Sequence, residues 1–322
     1  MKLTNLDLKI LANLNQDGRL AESQIGKKVR ASKQVVKYRM NKLEKEGIID
    51  GYYTMLNVGQ MGFDSYYIFL QLSGLNSEQE KQLYNKILKL SYIAWLVTGV
   101  GRWDAVLLFC AKDIMQFNEQ LSELKRIVGK HLHEYTYTNL VQAKHVNYKF
   151  LDSKQSNILE TTSKNNEIKL DRLDKNILRT INQEGRMQVT EIAEKIKETT
   201  YNVHYRLKKL KEMKIIKGFR PKLNISKLGL QWHLLLIKFN SVSNSRIKAF
   251  IDYCEKNNSV YYVTNSVGNY DIMLDLHVKT SEDFRKFLFD IKNEFQDVIL
   301  LYESMVIFDE LLITYIPEII LS

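Results

Sequence analysis

Cysteine is scarce: two occur in 322 residues, and neither sits in a metal-ligand spacing. Cys110 lies in the apolar run AVLLFCA and Cys254 in the helical-looking IKAFIDYCEK, so both read as small buried hydrophobes. The six histidines make no ligand cluster. His131 and His133 would share one strand face, but no carboxylate or cysteine motif joins them. Long apolar runs are also missing: none approaches the ~18 residues of a membrane-spanning helix. The opening MKLTNLDLKI is no signal peptide. These absences argue against a disulfide scaffold and a membrane span. The expectation is a reduced, cytoplasmic chain with no metal, no cofactor and no catalytic residues.

What is present is positive charge, 47 Lys and Arg against 37 Asp and Glu, for a net +10. That excess invites a polyanionic partner, with nucleic acid first, although a lysine-covered surface with no partner has the same composition. The 45% hydrophobic content is that of an ordinary globular protein with enough chain to bury real cores.

The chain also says one thing twice. NQDGR stands at 15–19 and NQEGR at 182–186, and Asp7 and Asp174 are 174 − 7 = 167 residues apart. The same offset places Tyr38-Arg39 on Tyr205-Arg206, Ile48-Ile49 on Ile215-Ile216, Gly62 on Gly229 and Gly101 on Gly268. A unit of that length is a duplicated domain set, longer than any solenoid repeat.

Each copy splits in two. In the first, Thr4 and Asp7 form a capping box, and Leu6, Ile10, Leu11 and Leu14 give a helical stripe that Asp17-Gly18 ends. ESQIGKKV is a second short helix, with Gly26 small where a crossing helix must come close. Ser32, or Thr199 in copy two, caps a third helix whose inner face is Val36, Met40 and Leu43. GIIDGYY then starts a wing or hinge strand. Three short helices with a tight turn before a basic third one make a helix-turn-helix. The rest of the copy reads β-α-β-β-α-β, from SYYIFLQL to LHEYTYTNLVQAKHV, and copy two repeats it from WHLLLIKF to ESMVIFDELLITYI. That order predicts a ferredoxin-like module with both helices on one sheet face, so a partner sheet must cover the other. The fold class is α+β, two copies of a winged helix-turn-helix domain followed by a ferredoxin-like βαββαβ domain. The divisions are 1–62 and 63–151, a polar linker over 152–169, then 170–229 and 230–322.

The stretch LDLKILANLNQDGR through GYYTMLNVGQMGF, followed by the G-x-x-D hairpin from Gly101 to Asp104, resembles the leucine-responsive/asparagine (Lrp/AsnC) regulators. The resemblance covers nearly the whole chain, twice, whereas the usual family member has one such unit. It implies a transcriptional regulator that binds duplex DNA and a module that oligomerises through its sheet and often binds amino acids. The outer face of the third helix holds Lys33, Gln34, Lys37, Tyr38 and Asn41, flanked by Arg39 and Lys42, side chains suited to base edges and phosphates. Copy two presents Thr200, Tyr201, His204 and Tyr205, with Arg206, Lys208 and Lys209 beside them. For an amino-acid effector the expected residues are Gly99, Gly101 and Asp104 of the hairpin, where freed N–H groups and a carboxylate would suit a zwitterion. Thr136 and Thr138 match threonines that line effector pockets in relatives. A glycine-dependent turn is the structural alternative for that hairpin.

Two rival readings remain beside this one. One is a ligand-sensing or scaffold protein with degenerate heads. The other is a siroheme decarboxylase, which uses the same two modules, but its arginine- and histidine-bearing stretches are not matched by IDGYYTML, TGVGRWDA or NSVGNYDI. Relatives bring two chains together to present two recognition helices. Here one chain carries both units, and the linker reaches about 60 Å when extended. The expected assembly is an intrachain pseudo-dimer with its modules sheet to sheet, with higher homo-oligomers compatible.

Overall fold

The computed structural model describes residues 3–146, 148–151, 158–164 and 166–322. Helices α1 (Asn5–Gln16), α2 (Glu22–Val29) and α3 (Lys33–Lys45) form the first head and lead into strand β1 (Ile49–Leu56). The Thr4 backbone N–H donates to Asp7 Oδ2 at 2.9 Å, and Asp7 N–H donates back to Thr4 Oγ1 at 3.3 Å, which closes the capping box. Ile10, Leu11, Leu14, Ile25, Val36, Met40 and Leu43 are buried together, as their spacing requires. Arg30 takes the left-handed conformation (φ 58°) that turns α2 into α3. At Gly26 an added Cβ would lie 2.6 Å from the Ala31 carbonyl oxygen. The small residue there therefore answers to the turn backbone, not to a crossing helix. Copy two repeats the head as α6 (Arg172–Gln183), α7 (Val189–Ile196), α8 (Thr200–Glu212) and β7 (Ile216–Leu223), with Asp171 and Asp174 forming its capping box.

The first module is β2 (Asp64–Leu72), α4 (Ser77–Ile87), β3 (Ile93–Gly101), β4 (Ala105–Ala111), α5 (Ile114–Val128) and β5 (Leu132–His145). The second is β8 (Gln231–Phe239), α9 (Asn244–Lys256), β9 (Val260–Gly268), β10 (Ile272–Val278), α10 (Ser281–Glu294) and β11 (Ile299–Ile313), followed by the short α11 (Glu318–Leu321). Their strand orders match, β5-β2-β4-β3 and β11-β8-β10-β9. The helices of each module cover one sheet face, with Ile87 and Leu124 in one core and Phe250 and Ile291 in the other.

The sheets also join edge to edge. β11 of the second module pairs with β3 of the first, and β5 of the first pairs with β9 of the second. Eight strands thereby close into a ring that leaves no exposed module edge. The inner faces pack on each other through Phe69, Val97, Val106, Leu234, Met273 and Ile307. At the centre Trp103 Nε1 donates to Tyr270 Oη at 2.8 Å, two residues that correspond at the 167-residue offset. They mark an internal pseudo-twofold axis.

The stretch read as a plain linker is partly a strand. β6 (Leu159–Thr162) pairs antiparallel with the end of β5, and Met61 forms a bridge with Glu167. Its polar side chains hid this because ladder bonds are made by backbone, not by side chains. Residues 152–157 and 165 of that stretch lie outside the described residues.

β1 and β7 do not fold back as wings on their own heads. They pair with each other, Tyr53 opposite Arg220, as one antiparallel ribbon between heads and modules. The repeated NQDGR and NQEGR motifs grip that ribbon. Gly18 N–H donates to Phe219 O at 2.8 Å, and Gly185 N–H donates to Tyr52 O at 3.2 Å. Both glycines lie so close to the opposite strand that a Cβ would sit 3.1 Å and 2.9 Å from its backbone. Arg186 then donates to the carbonyls of Gly18 and Leu20 at 2.5 and 3.1 Å, while Arg19 donates to Met187 O. Each arginine also lies over a ring of the opposite copy, Arg19 on Phe219 and Arg186 on Tyr52. The repetition thus builds a reciprocal clasp between the heads.

Candidate nucleic-acid interface

On α3 the side chains of Lys33, Gln34, Lys37, Tyr38 and Asn41 are exposed, and Lys42 is half-buried. Tyr38 leaves 64% of its surface in solvent although it is a large aromatic. On α8 Thr200, Tyr201, His204, Tyr205, Lys208 and Lys209 are exposed, with Tyr201 at 78%. Lys208 stands 3.8 Å from Glu212 in a solvent-facing pair that holds it only weakly. Exposed aromatics beside lysines on both third helices are poor solvent-facing choices and good nucleic-acid ones.

Arg39 and Arg206 stand apart from this face. Arg39 lies 3.7 Å from the buried Asp7 carboxylate, and Arg206 lies 2.7 Å from Asp171 and 3.5 Å from Asp174. Each ties its third helix back to the capping box of its own first helix. That is why Tyr-Arg recurs at the same place in both copies: the arginine braces the head, and the tyrosine beside it faces outward.

The five residues expected to hold an effector do other work. A Cβ on Gly99 would meet Val306 O at 2.0 Å, and one on Gly101 (φ 156°) would meet Ser304 O at 2.4 Å. Both glycines let β11 of the other module approach. Asp104 Oδ2 accepts the Leu72 N–H at 2.6 Å, which fixes the carboxylate against its own module's backbone. Thr138 Oγ1 sits 3.0 and 2.9 Å from the carbonyl oxygens of Val267 and Tyr270. Thr136 pairs with Phe69 within the sheet. Closing the ring fills the hairpin's open side with the second module: Gly99, Gly101 and Thr138 serve that junction, whereas the contacts of Asp104 and Thr136 lie within the first module.

A recess that sequence patterning did not reveal lies instead beneath the β1–β7 ribbon, between the two sheets. Its cavity volume is about 90 Å3, and it is walled by Trp95, Trp232, Tyr261, Asp275, His277 and Glu310 among others. Trp232 Nε1 donates to Asp275 Oδ1 and Trp95 Nε1 to Glu310 Oε1, both at 2.8 Å. His145 Nε2 is bonded to the Tyr261 hydroxyl. Burial pushes the Asp275 carboxyl up to about 7, against the Trp232 bond that pulls it down. Burial likewise pushes His277 down to about 3 and His145 well below its ordinary value, so both rings are neutral. Among the described residues no group of three His, Cys, Asp or Glu side chains could hold a metal ion.

The signs of these shifts set an acid response. A depressed histidine stabilises the fold fully above its unfolded value of 6.5, and that stability is lost as pH falls through 6.5 towards the folded value. Asp275, raised, acts oppositely: its contribution is present below 3.8 and lost as pH rises towards 7. His277 alone costs about 1.4 kcal/mol per pH unit below 6.5, and His145 adds in the same sense. Replacing His277 by Gln is therefore expected to flatten the fall in unfolding free energy between pH 6.5 and 4 by about 1.4 kcal/mol per unit. Urea titrations at stepped pH measure that slope.

A winged helix-turn-helix DNA-binding family matches residues 3–50 and again 170–217. The HTH-type transcriptional regulator Ptr1 of Methanocaldococcus jannaschii is 35% identical over 123 residues, which are 38% of this chain and 80% of that protein. An uncharacterised HTH-type transcriptional regulator of Pyrococcus furiosus is 32% identical over 122 residues, again 38% of this chain and 80% of the relative. The siroheme decarboxylase NirDL, solved in co-complex with an iron-uroporphyrin III analogue, shares the whole architecture. Its TM-score is 0.63 at 14% identity, covering 99% of this chain and 96% of that one. At such identity the likeness concerns the fold alone. Fold and third helices together define a DNA-binding regulator with two heads on a ferredoxin-like base. The chain belongs to the HTH-type transcriptional regulators and carries the winged helix-turn-helix unit twice, in keeping with its resemblance to the Lrp/AsnC regulators. Among the described residues no helix is long and apolar enough to cross a membrane.

Proposed function

We propose that a single chain of this regulator reads an asymmetric duplex operator, one unlike half-site per head. One observation carries the reading. The clasped heads present different outer faces, Lys33-Gln34, Lys37-Tyr38 and Asn41 against Thr200-Tyr201, His204-Tyr205 and Lys208. Gln34 and Asn41 can pair with adenine edges, and the lysines with guanine edges or phosphates. Tyr201, His204 and Tyr205 offer fewer charges and more apolar contact, so the second half-site differs. Two helices fixed on one frame read half-sites about one or more helical turns apart. The test is a chimaera carrying Thr200→Lys, Tyr201→Gln, His204→Lys and Lys208→Asn. Its selected operator should become palindromic, with the α3 half-site in both arms. An unchanged operator would mean that α8 does not read bases.

The regulator relatives support a non-enzymatic role. The recess supports it too: among its described lining residues Lys222 is paired with Glu310, and His145 and His277 are held neutral by burial, so little positive charge faces the carboxylates of a uroporphyrin-type macrocycle. Adding an iron uroporphyrin is expected to leave its Soret band unshifted. A stoichiometric shift followed by release of carbon dioxide would replace this reading with an enzymatic one.

A further inference from the structure

The duplication itself supplies a control for the recess beneath the ribbon. The recess spans the pseudo-axis, and the two copies line it unequally. Tyr261, Asp275, His277 and Glu310 correspond, at the same 167-residue offset, to Ala94, Leu108, Cys110 and Ala143. On the copy-one side Ala94 and Cys110 are packed against Ile316 and Ile320 in the core of the second head. Ala94 and Leu108 line the same recess as Tyr261 and Asp275, so the two copies share one cavity to which the second brings Asp275, His277 and Glu310 where the first has Leu108, Cys110 and Ala143.

Those polar groups have a definite pattern. Glu310 is paired, 3.4 Å from Lys222 and bonded to Trp95. Among the described residues the Asp275 carboxyl accepts the Trp232 N–H, and no Lys or Arg makes a salt bridge with it. A carboxylate amid Trp95, Trp232, Tyr67 and Tyr262 is an aromatic cage with an acid at its wall, an arrangement that attracts an organic cation. His277 lies two residues further along β10 on the same face, roughly 7 Å away. It is 5% exposed, faces the same space, and among the described residues neither ring nitrogen has a hydrogen-bond partner. A neutral imidazole there offers one donor and one acceptor to whatever enters.

We infer that this unequally lined recess is an effector site for a small organic amine with a flat apolar body and a hydrogen-bonding group roughly 7 Å from its nitrogen, and that its occupancy adjusts the DNA-binding heads. The ammonium sits at Asp275, the body lies between the tryptophan and tyrosine rings, and the far polar group meets His277. The coupling follows from the roof. Tyr53 on β1 and Pro221 to Leu223 on β7 close the recess, and these are the strands that carry the two heads. A ligand that fits one ribbon position better than another must shift the heads accordingly. That second half rests on the DNA-binding reading, whereas the site itself does not.

Tyramine has the required nitrogen, ring and distal hydroxyl. Two of the three tryptophans, Trp95 and Trp232, line the recess, and Trp103 lies on the pseudo-axis outside its lining. Titration of the intact chain, without DNA, is followed by tryptophan fluorescence excited at its red edge. Tyramine should saturate and bind at least about tenfold tighter than p-cresol, 4-hydroxyphenylpropionate or tyrosine, with Asp275→Asn removing that advantage. Should that variant not fold, Trp95→Phe/Trp232→Phe leaves Trp103 as the only reporter, and its signal should not respond. Tighter binding of the acid or of the zwitterion, or a full response from Trp103 alone, would overturn the amine assignment, as would no saturation at millimolar tyramine. DNA affinity measured with and without saturating tyramine then tests the coupling. An unchanged value sinks the coupling while leaving the site in place.

Discussion

Replacing Lys33, Lys37 and Lys42 together by alanine is expected to weaken binding to every duplex by about a hundredfold at physiological salt. Each phosphate neutralised by a cation steepens the log–log salt dependence by about 0.9, so losing three flattens it by about 2.7. The effect is uniform across sequences because phosphate contacts carry no base information. Gln34→Ala makes the contrast: its loss of about 1–3 kcal/mol should fall on one base position and leave the salt slope unchanged. Lys33 and Lys37 are exposed and Lys42 half-buried, and none appears in a salt bridge among the described residues, so the triple variant should keep its fold. Fluorescence anisotropy across a salt series checks both results. Arg39 is left out of this set because it braces Asp7, and its removal would confound contact with stability.

The second large effect lies on the pseudo-axis. Trp103 is 2% exposed, packs against Phe69 and Tyr270, and donates its N–H to the Tyr270 hydroxyl, which in turn donates to Glu303 at 2.5 Å. Trp103→Ala removes that ring and leaves a cavity between the two inner sheet faces, at a cost of about 3–5 kcal/mol. The same change should loosen the modules from each other. If a protease site is placed within 152–157 and cut, the native halves are expected to co-purify through the β3–β11 and β5–β9 pairings. The cut Trp103→Ala chain should separate at lower denaturant. Equal co-purification and equal unfolding midpoints would show that the axis contributes nothing to the junction.

How far the sequence revealed this molecule follows from what carries each contact. The elements were legible because side-chain periodicity reports them: Val36, Met40 and Leu43 at helical spacing, and both β-α-β-β-α-β runs in order. Edge pairing of the modules was not, because ladder bonds are made by backbone and leave no side-chain pattern. The same holds for β6, concealed in a polar stretch, and for the ribbon that β1 shares with β7. Asp17-Gly18 read only as a helix stop, since the strand that Gly18 touches lies about two hundred residues away. At the interface the exposed faces of both third helices were legible, whereas the bracing role of Arg39 and Arg206 needed the position of the first helix. The recess left one trace. Where the copies agree they build the frame; where they swap Ala94 for Tyr261, Leu108 for Asp275 and Cys110 for His277, small or apolar for aromatic or ionisable, the second copy has gained chemistry that the first lacks.

The central claim is that one covalent chain carries two unlike DNA-reading heads on a single frame. Selection of bound sequences from a random duplex pool, with the mass of the resulting complex measured, tests it most directly. The account predicts a site of two different half-sites at fixed spacing, occupied by one chain. A palindromic site that requires two chains, or no sequence enrichment at all, would contradict it.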